Sequence, residues 1–171
     1  MSRQPLSALR TQDSALGPRG STLASQSGME KILGRYDGFL YALLRVIAGW
    51  MFMMHGTAKI FGWPGARPAV ELASVPGVAG IIELIGGAMI MIGLLTSIAA
   101  FISSGLMAFA YFMAHAPDGF FPTVNKGELA VLYCFLWLYM AACGSGQFSV
   151  DAALRTRRRI LGGYSAHANL C

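Results

Sequence analysis

The sequence predicts an all-α integral membrane protein, a four-helix bundle of membrane spans with its N- and C-termini both cytoplasmic. Composition is the first reason. Of 171 residues, 55% are apolar and only 12% charged, whereas a soluble domain carries roughly 25% charged residues. Mean hydropathy is accordingly high, at +0.54. The second reason is the stretch 84–117, 34 residues without Asp, Glu, Lys or Arg. As one helix it would measure roughly 51 Å, too long for a hydrocarbon core of about 30 Å. It must hold the end of one span, a turn and a further span. The third reason is where the basic residues lie. They gather at the two ends of the chain, so the net charge of +5 records orientation in a membrane and not affinity for nucleic acid.

Taken in order, residues 1–36 are rich in Ser, Gln and Gly and read as a disordered tail. No apolar run follows Arg3 or Arg10 within them, so they are not a secretory signal. A membrane domain is expected over 37–151, with spans near 38–62, 76–95, 97–116 and 127–147. The GLLTS segment at 93–97 is the turn between the second and third spans. The fourth lies in an uncharged run of 22 residues, 129–150, closed by Gly144, Gly146 and Ser149. Residues 152–171 read as a basic cytoplasmic tail. Arg3, Arg10, Arg19, Lys31 and Arg35 precede the first span, and Arg155, Arg157, Arg158 and Arg159 follow the last. The outer loops hold only Arg67 and Lys126 among basic residues. An even number of spans keeps both basic ends inside. A multi-pass protein of a bacterial or organellar inner membrane is the simplest setting, with the lipid bilayer as its first partner.

Ionisable residues inside a membrane are costly and face a partner. At about 100° per residue, Arg45, Phe52, His55, Gly56 and Lys59 share one face of the first span. On the second span Glu83 shares a face with Ala79, Gly80, Gly86 and Gly87, small residues that let helices approach closely in lipid. Ser104, Ala108, Tyr111 and His115 form a stripe on the third span; Glu128, Phe135 and Tyr139 line up on the fourth. With the chain alternating in direction, His55, Lys59, Glu83, His115 and Glu128 all fall toward the outer end. His55 and Glu83 lie about 10 Å in from it. These five form the candidate polar pocket, with Arg45, nearer the cytoplasm, and Tyr111 as secondary candidates. A plainer reading stands beside this one. Lys59, His115 and Glu128 would be interfacial residues snorkelling to headgroups, Arg45 the same on the other side, and a Glu83–Lys59 or Glu83–His55 pair would be structural glue.

The thiols carry no chemistry. Cys134 and Cys143 lie nine residues apart on one helix and point to opposite faces. Cys171 sits in the cytoplasmic tail, and no metal-binding spacing is present.

At these residues the sequence resembles the DoxX family of small four-span membrane proteins. The matching stretches run over 45–62, 79–97 and 107–151. An Arg opens the first helix (Arg45) and an H-G-x-x-K segment closes it (His55, Gly56, Lys59). An E-L-x-G-G follows (Glu83, Leu84, Gly86, Gly87), then N-x-G-E (Asn125, Gly127, Glu128) and G-x-G-x-x-S-x-D (Gly144, Gly146, Ser149, Asp151). The resemblance implies an integral membrane protein of redox type, as a subunit of a quinone-linked or oxidative-stress-related complex. In such a site His55 and Lys59 donate to quinone oxygens, Glu83 or Glu128 relays protons, and Trp50, Trp63 and Tyr111 supply ring surface. Electrons come from a soluble or membrane partner subunit or from a non-covalent cofactor, since the chain has no nucleotide fingerprint and no Fe–S or c-type haem motif. His55 and His115, on two helices, are a thin basis for a b-type haem. A non-catalytic membrane scaffold and a small permease are the alternatives.

Overall fold

A computed structural model describes residues 28–65 and 68–168. The expected disorder of residues 1–27, together with Arg67 and Cys171, lies outside the described residues. The chain divides after Asp37 into two compact units. In the first, α1 (Gly28–Leu33) runs into a 3-10 turn, Gly34–Tyr36. The disordered tail expected up to residue 36 is therefore helical from Gly28 onward. Met29, Ile32, Leu33 and Tyr36 recur at helical spacing, a pattern the polar composition of the preceding residues obscures.

All described secondary structure is helical. The helix α2 (Asp37–Phe61) is followed by α3 (Val75–Ile92) and α4 (Thr96–Ala110). A π-turn, Tyr111–His115, and a 3-10 turn, Ala116–Asp118, extend α4. Then come α5 (Pro122–Asn125), α6 (Glu128–Cys143) and α7 (Val150–Ala168). Among the described residues three segments are long and apolar enough to cross a membrane: Gly34–Phe61, Val75–Ile92 and Thr96–Asp118. The fourth expected span is shorter. With 16 residues, α6 measures about 24 Å, because Gly144 and Gly146 take left-handed φ angles of 75° and 72° and end it before residue 147. Residues 152–168 of the expected basic tail belong to helix α7.

Local chemistry sets the ends of α3. Ser74 caps it, its hydroxyl accepting from the Gly77 N–H at 3.2 Å, and Pro76 stands in the first turn, where no N–H is needed. Gly93 ends it at φ +76°, and the Gly93 and Leu94 N–H groups return to the Met89 carbonyl, a glycine-type helix stop. The expected turn at 93–97 is thus present. Leu95 also takes a left-handed conformation, φ +47°, which costs a non-glycine residue free energy. Its N–H is held by Asp151 Oδ1 at 3.1 Å.

Packing follows the small residues. A methyl group on Gly49 would meet the Gly87 carbonyl at 2.9 Å, and one on Gly56 would meet the Gly80 carbonyl and the Leu84 N–H. The α2 and α3 backbones are therefore in contact. Gly86 serves another neighbour: its Cβ would come within 2.8 Å of Ser103 Oγ on α4. Ser104 joins α4 to α6 by donating to the Cys134 carbonyl at 2.8 Å. Phe52 of α2 completes the circuit, with ring centroids 5.3 Å from Tyr133 and 5.2 Å from Trp137 of α6. Trp137, Phe52, Ile90 and Met140 are the largest apolar side chains enclosed. The inward face of α6 is thus Ala130, Tyr133, Trp137 and Met140. The Glu128–Phe135–Tyr139 face expected to point inward points out, with Phe135 65% and Tyr139 59% exposed. On a helix apolar all round, lipid and core are equally acceptable to Phe, and the charge at Glu128 is no guide to the buried side.

Candidate functional site

Two buried charges sit toward opposite ends of these helices. Near the start of α2, Arg45 is 2% exposed. Its guanidinium donates to the Ser145 carbonyl, and to the Phe148 carbonyl at 2.6 Å. Around it Tyr41 donates to the Gly144 carbonyl at 2.6 Å, Ser149 to the Gly146 carbonyl at 2.8 Å, and the Asp151 N–H to the Gly93 carbonyl at 3.1 Å. Arg45 thus pins the loop 144–149, where it sits against Gly93. It makes main-chain hydrogen bonds and does not snorkel to a headgroup.

Toward the other end of α2, Lys59 Nζ lies 2.6 Å from Glu83 Oε1, with the lysine side chain 34% exposed and the glutamate 3%. Glu83 is placed there by the glycines on its face, since Gly80 and Gly87 bring α3 against α2. Its second oxygen, Oε2, is buried and makes no hydrogen bond among the described residues. Tyr133 lies within electrostatic reach of Glu83, and its hydroxyl is likewise buried and unpartnered, as is Trp137 Nε1. The Tyr133 and Trp137 rings stack at 5.3 Å. His55 meets the Tyr133 ring edge-on, centroids 6.3 Å apart, while staying exposed on its other side. The arrangement is a paired carboxylate with one free oxygen, a neighbouring phenol and an imidazole open to the surroundings.

His115 and Glu128 are not brought into this group. His115 Nδ1 lies 3.1 Å from the Asn125 carbonyl, a geometry that makes Nδ1 the protonated nitrogen. Tyr111 is buried and donates to the Phe120 carbonyl. Asn125 donates to the Gly119 carbonyl at 2.6 Å and accepts from the Gly127 N–H at 2.8 Å. His115, Tyr111 and Asn125 therefore set the path of the chain between α4 and α6. Glu128 is exposed at the start of α6, in a surface cleft shared with Lys126 and Leu132. Trp50 and Trp63 are 52% and 62% exposed; the ring within electrostatic reach of Glu83 is instead Tyr133, stacked on Trp137. Sequence reasoning missed both, although Ala130, Tyr133, Trp137 and Met140 keep helical spacing.

Long apolar helices whose outward faces carry Phe, Ile and Leu, and whose few charges are enclosed between them, define a helical membrane protein. Residues 40–116 match the family model DoxX. The chain is 43% identical over 126 residues to an uncharacterized protein of Haemophilus influenzae, covering 70% of this chain and 93% of that protein. It is 28% identical over 119 residues to the inner membrane protein YqjF of Escherichia coli, covering 66% and 90%. No solved structure matches it. The chain belongs to the DoxX family.

Proposed function

We propose that this protein is a multi-pass inner-membrane subunit of a quinone-linked redox complex, with α2, α3, α4 and α6 each crossing the bilayer and both termini in the cytoplasm. The charge asymmetry of the sequence and the inner-membrane location of YqjF support the setting. The observation that carries the chemistry is Glu83, buried with one oxygen on Lys59 and the other unpartnered.

Reducing a quinone to a quinol takes two electrons and two protons. Electrons come from a partner subunit, and this chain supplies binding and protons. The exposed imidazole of His55 and the Tyr133 hydroxyl donate hydrogen bonds to quinone oxygens. Glu83, with one oxygen on Lys59 and the other without a partner, is the proton carrier of the site. An apolar groove of about 200 Å³ between α3 and α4, walled by Ile81, Ile85, Ile98 and Ile102, suits an isoprenoid chain.

The test is quinone reduction in membranes carrying Glu83→Gln or His55→Ala. Both variants are expected to assemble and to lose turnover. Normal turnover in both defeats the site, and loss of partner proteins from a detergent pull-down of assembled protein points to a scaffold instead.

A further inference from the structure

Helix α7 leaves the packed helices at the Arg45 end and carries a second polar assembly, independent of the redox reading. Residues 150–160 hold four arginines against Asp151, a net +3. Between α7 and the α3–α4 turn lies a cleft of about 460 Å³. Its polar wall is Thr96, Ser97, Arg155 and Arg158, and its apolar wall includes Leu95, Ile98 and Leu154. Those three apolar side chains are 52%, 59% and 44% exposed.

Two features distinguish this cleft from a merely charged surface. Thr96 is 1% exposed and lines the cleft, yet its hydroxyl makes no hydrogen bond among the described residues. Arg155 is held in place, its guanidinium donating to Ser145 Oγ at 3.2 Å. Asp151 also borders the cleft, but its Oδ1 is engaged by the Leu95 N–H. Two guanidinium groups and two hydroxyls match the charge and hydrogen-bonding needs of a phosphodiester. The apolar wall beside them, continuous with the outward faces of α3 and α4, matches the acyl chains attached to one.

We infer that this cleft binds the headgroup of an anionic glycerophospholipid, the phosphate lying between Arg155 and Arg158 with the Thr96 hydroxyl donating to it and the acyl chains lying along Leu95 and Ile98. Arg157 does not line the cleft and belongs to a different face of α7, with Phe148 and Ile160. It carries the same charge and serves as the control.

The experiment uses the full chain purified in a neutral detergent. Its thermal midpoint is followed on titration with phosphatidylglycerol, phosphatidylcholine or inorganic phosphate. Phosphatidylglycerol is expected to raise the midpoint at concentrations where the other two do not. Arg158, exposed and bonded to no other described residue, is replaced first. Arg158→Gln weakens the phosphatidylglycerol response about fivefold, as one surface arginine does near anionic lipid. Thr96→Val also weakens it, by about fivefold for one lost hydrogen bond, while Arg157→Gln leaves it unchanged. Equal stabilisation by phosphatidylcholine, or by inorganic phosphate alone, overturns the inference. So does a loss in Arg157→Gln as large as that in Arg158→Gln, which would show diffuse attraction without a site.

Discussion

The two ends of this membrane protein bury charge to nearly the same degree and use it differently. Arg45 is 2% exposed and Glu83 is 3% exposed. Arg45 donates to two main-chain carbonyls of the loop 144–149, leaving only Nε without a partner. Glu83 has a single side-chain partner, Lys59, which is itself partly exposed, and its free oxygen shares the interior with the unpartnered Tyr133 hydroxyl. A buried charge bonded to the backbone holds a fold together, because every alternative arrangement strands those carbonyls. A buried charge with unused capacity beside other unused donors is available to something that arrives. Burial alone does not separate structure from function here; the bonding does.

The largest effect should come from Arg45→Met. It removes charged donors from two carbonyls at once and is expected to cost about 3 kcal/mol, read as a lower midpoint of unfolding in detergent. A wild-type midpoint would erase the contrast between the two ends. Lys59→Met comes next, at about 2 kcal/mol near neutral pH, since it leaves Glu83 buried without a countercharge. The partial exposure of Lys59, 34%, limits that cost. Adding Glu83→Gln to Lys59→Met should restore most of the stability while quinone turnover stays lost. No comparable second substitution should rescue Arg45→Met, because its partners are main chain.

Glycine positions sharpen the comparison between backbone contact and open space. Gly56→Ala drives a methyl group into the α3 backbone at Gly80 and Leu84 and should also cost about 2 kcal/mol, within the usual range for overpacking. A methyl group on Gly105 in α4 would meet nothing within 4 Å, so Gly105→Ala should stabilise by about 0.5 kcal/mol through helix propensity. Unfolding of the two variants side by side tests whether α2 and α3 are truly in backbone contact.

Much of this is legible in the sequence, for reasons that differ by element. The uncharged stretch 84–117 exceeds one membrane thickness and so announces a turn, which Gly93 makes. Glu83 beside Gly80 and Gly87 marks a close helix contact, with Lys59 within reach as its partner. Depth along a helix follows from residue counts, and this places His115 and Glu128 at the level of Lys59. Depth carries no information about direction around the axis, however, and those two residues turn to a connecting segment and to the surface. The buried face of α6 is hidden because Phe135 outside and Trp137 inside are equally apolar, so no hydropathy contrast marks the core. The partners of Arg45 are main-chain carbonyls a hundred residues away, and no side-chain pattern records them. Helix α7 escapes a sequence reading because its arginines dominate a weakly apolar segment and suggest only a charged tail.

The smallest effects divide the outer candidates. His55 and Glu128 are both exposed, and neither makes a side-chain hydrogen bond that its removal would strand. His55→Ala and Glu128→Gln should each change stability by no more than about 0.5 kcal/mol, as surface substitutions do. Their activities should part company. His55 lies against Tyr133, whose hydroxyl is buried within reach of Glu83, so its loss removes a donor from the proposed quinone site and turnover falls. Glu128 lies in the cleft with Lys126 and Leu132, outside that group, so turnover in Glu128→Gln stays at the wild-type level. Quinone reduction in the two variants, at matched amounts of assembled protein, reads the difference directly. Equal loss in both would extend the site to the start of α6 and would mean that the exposed face of that helix takes part.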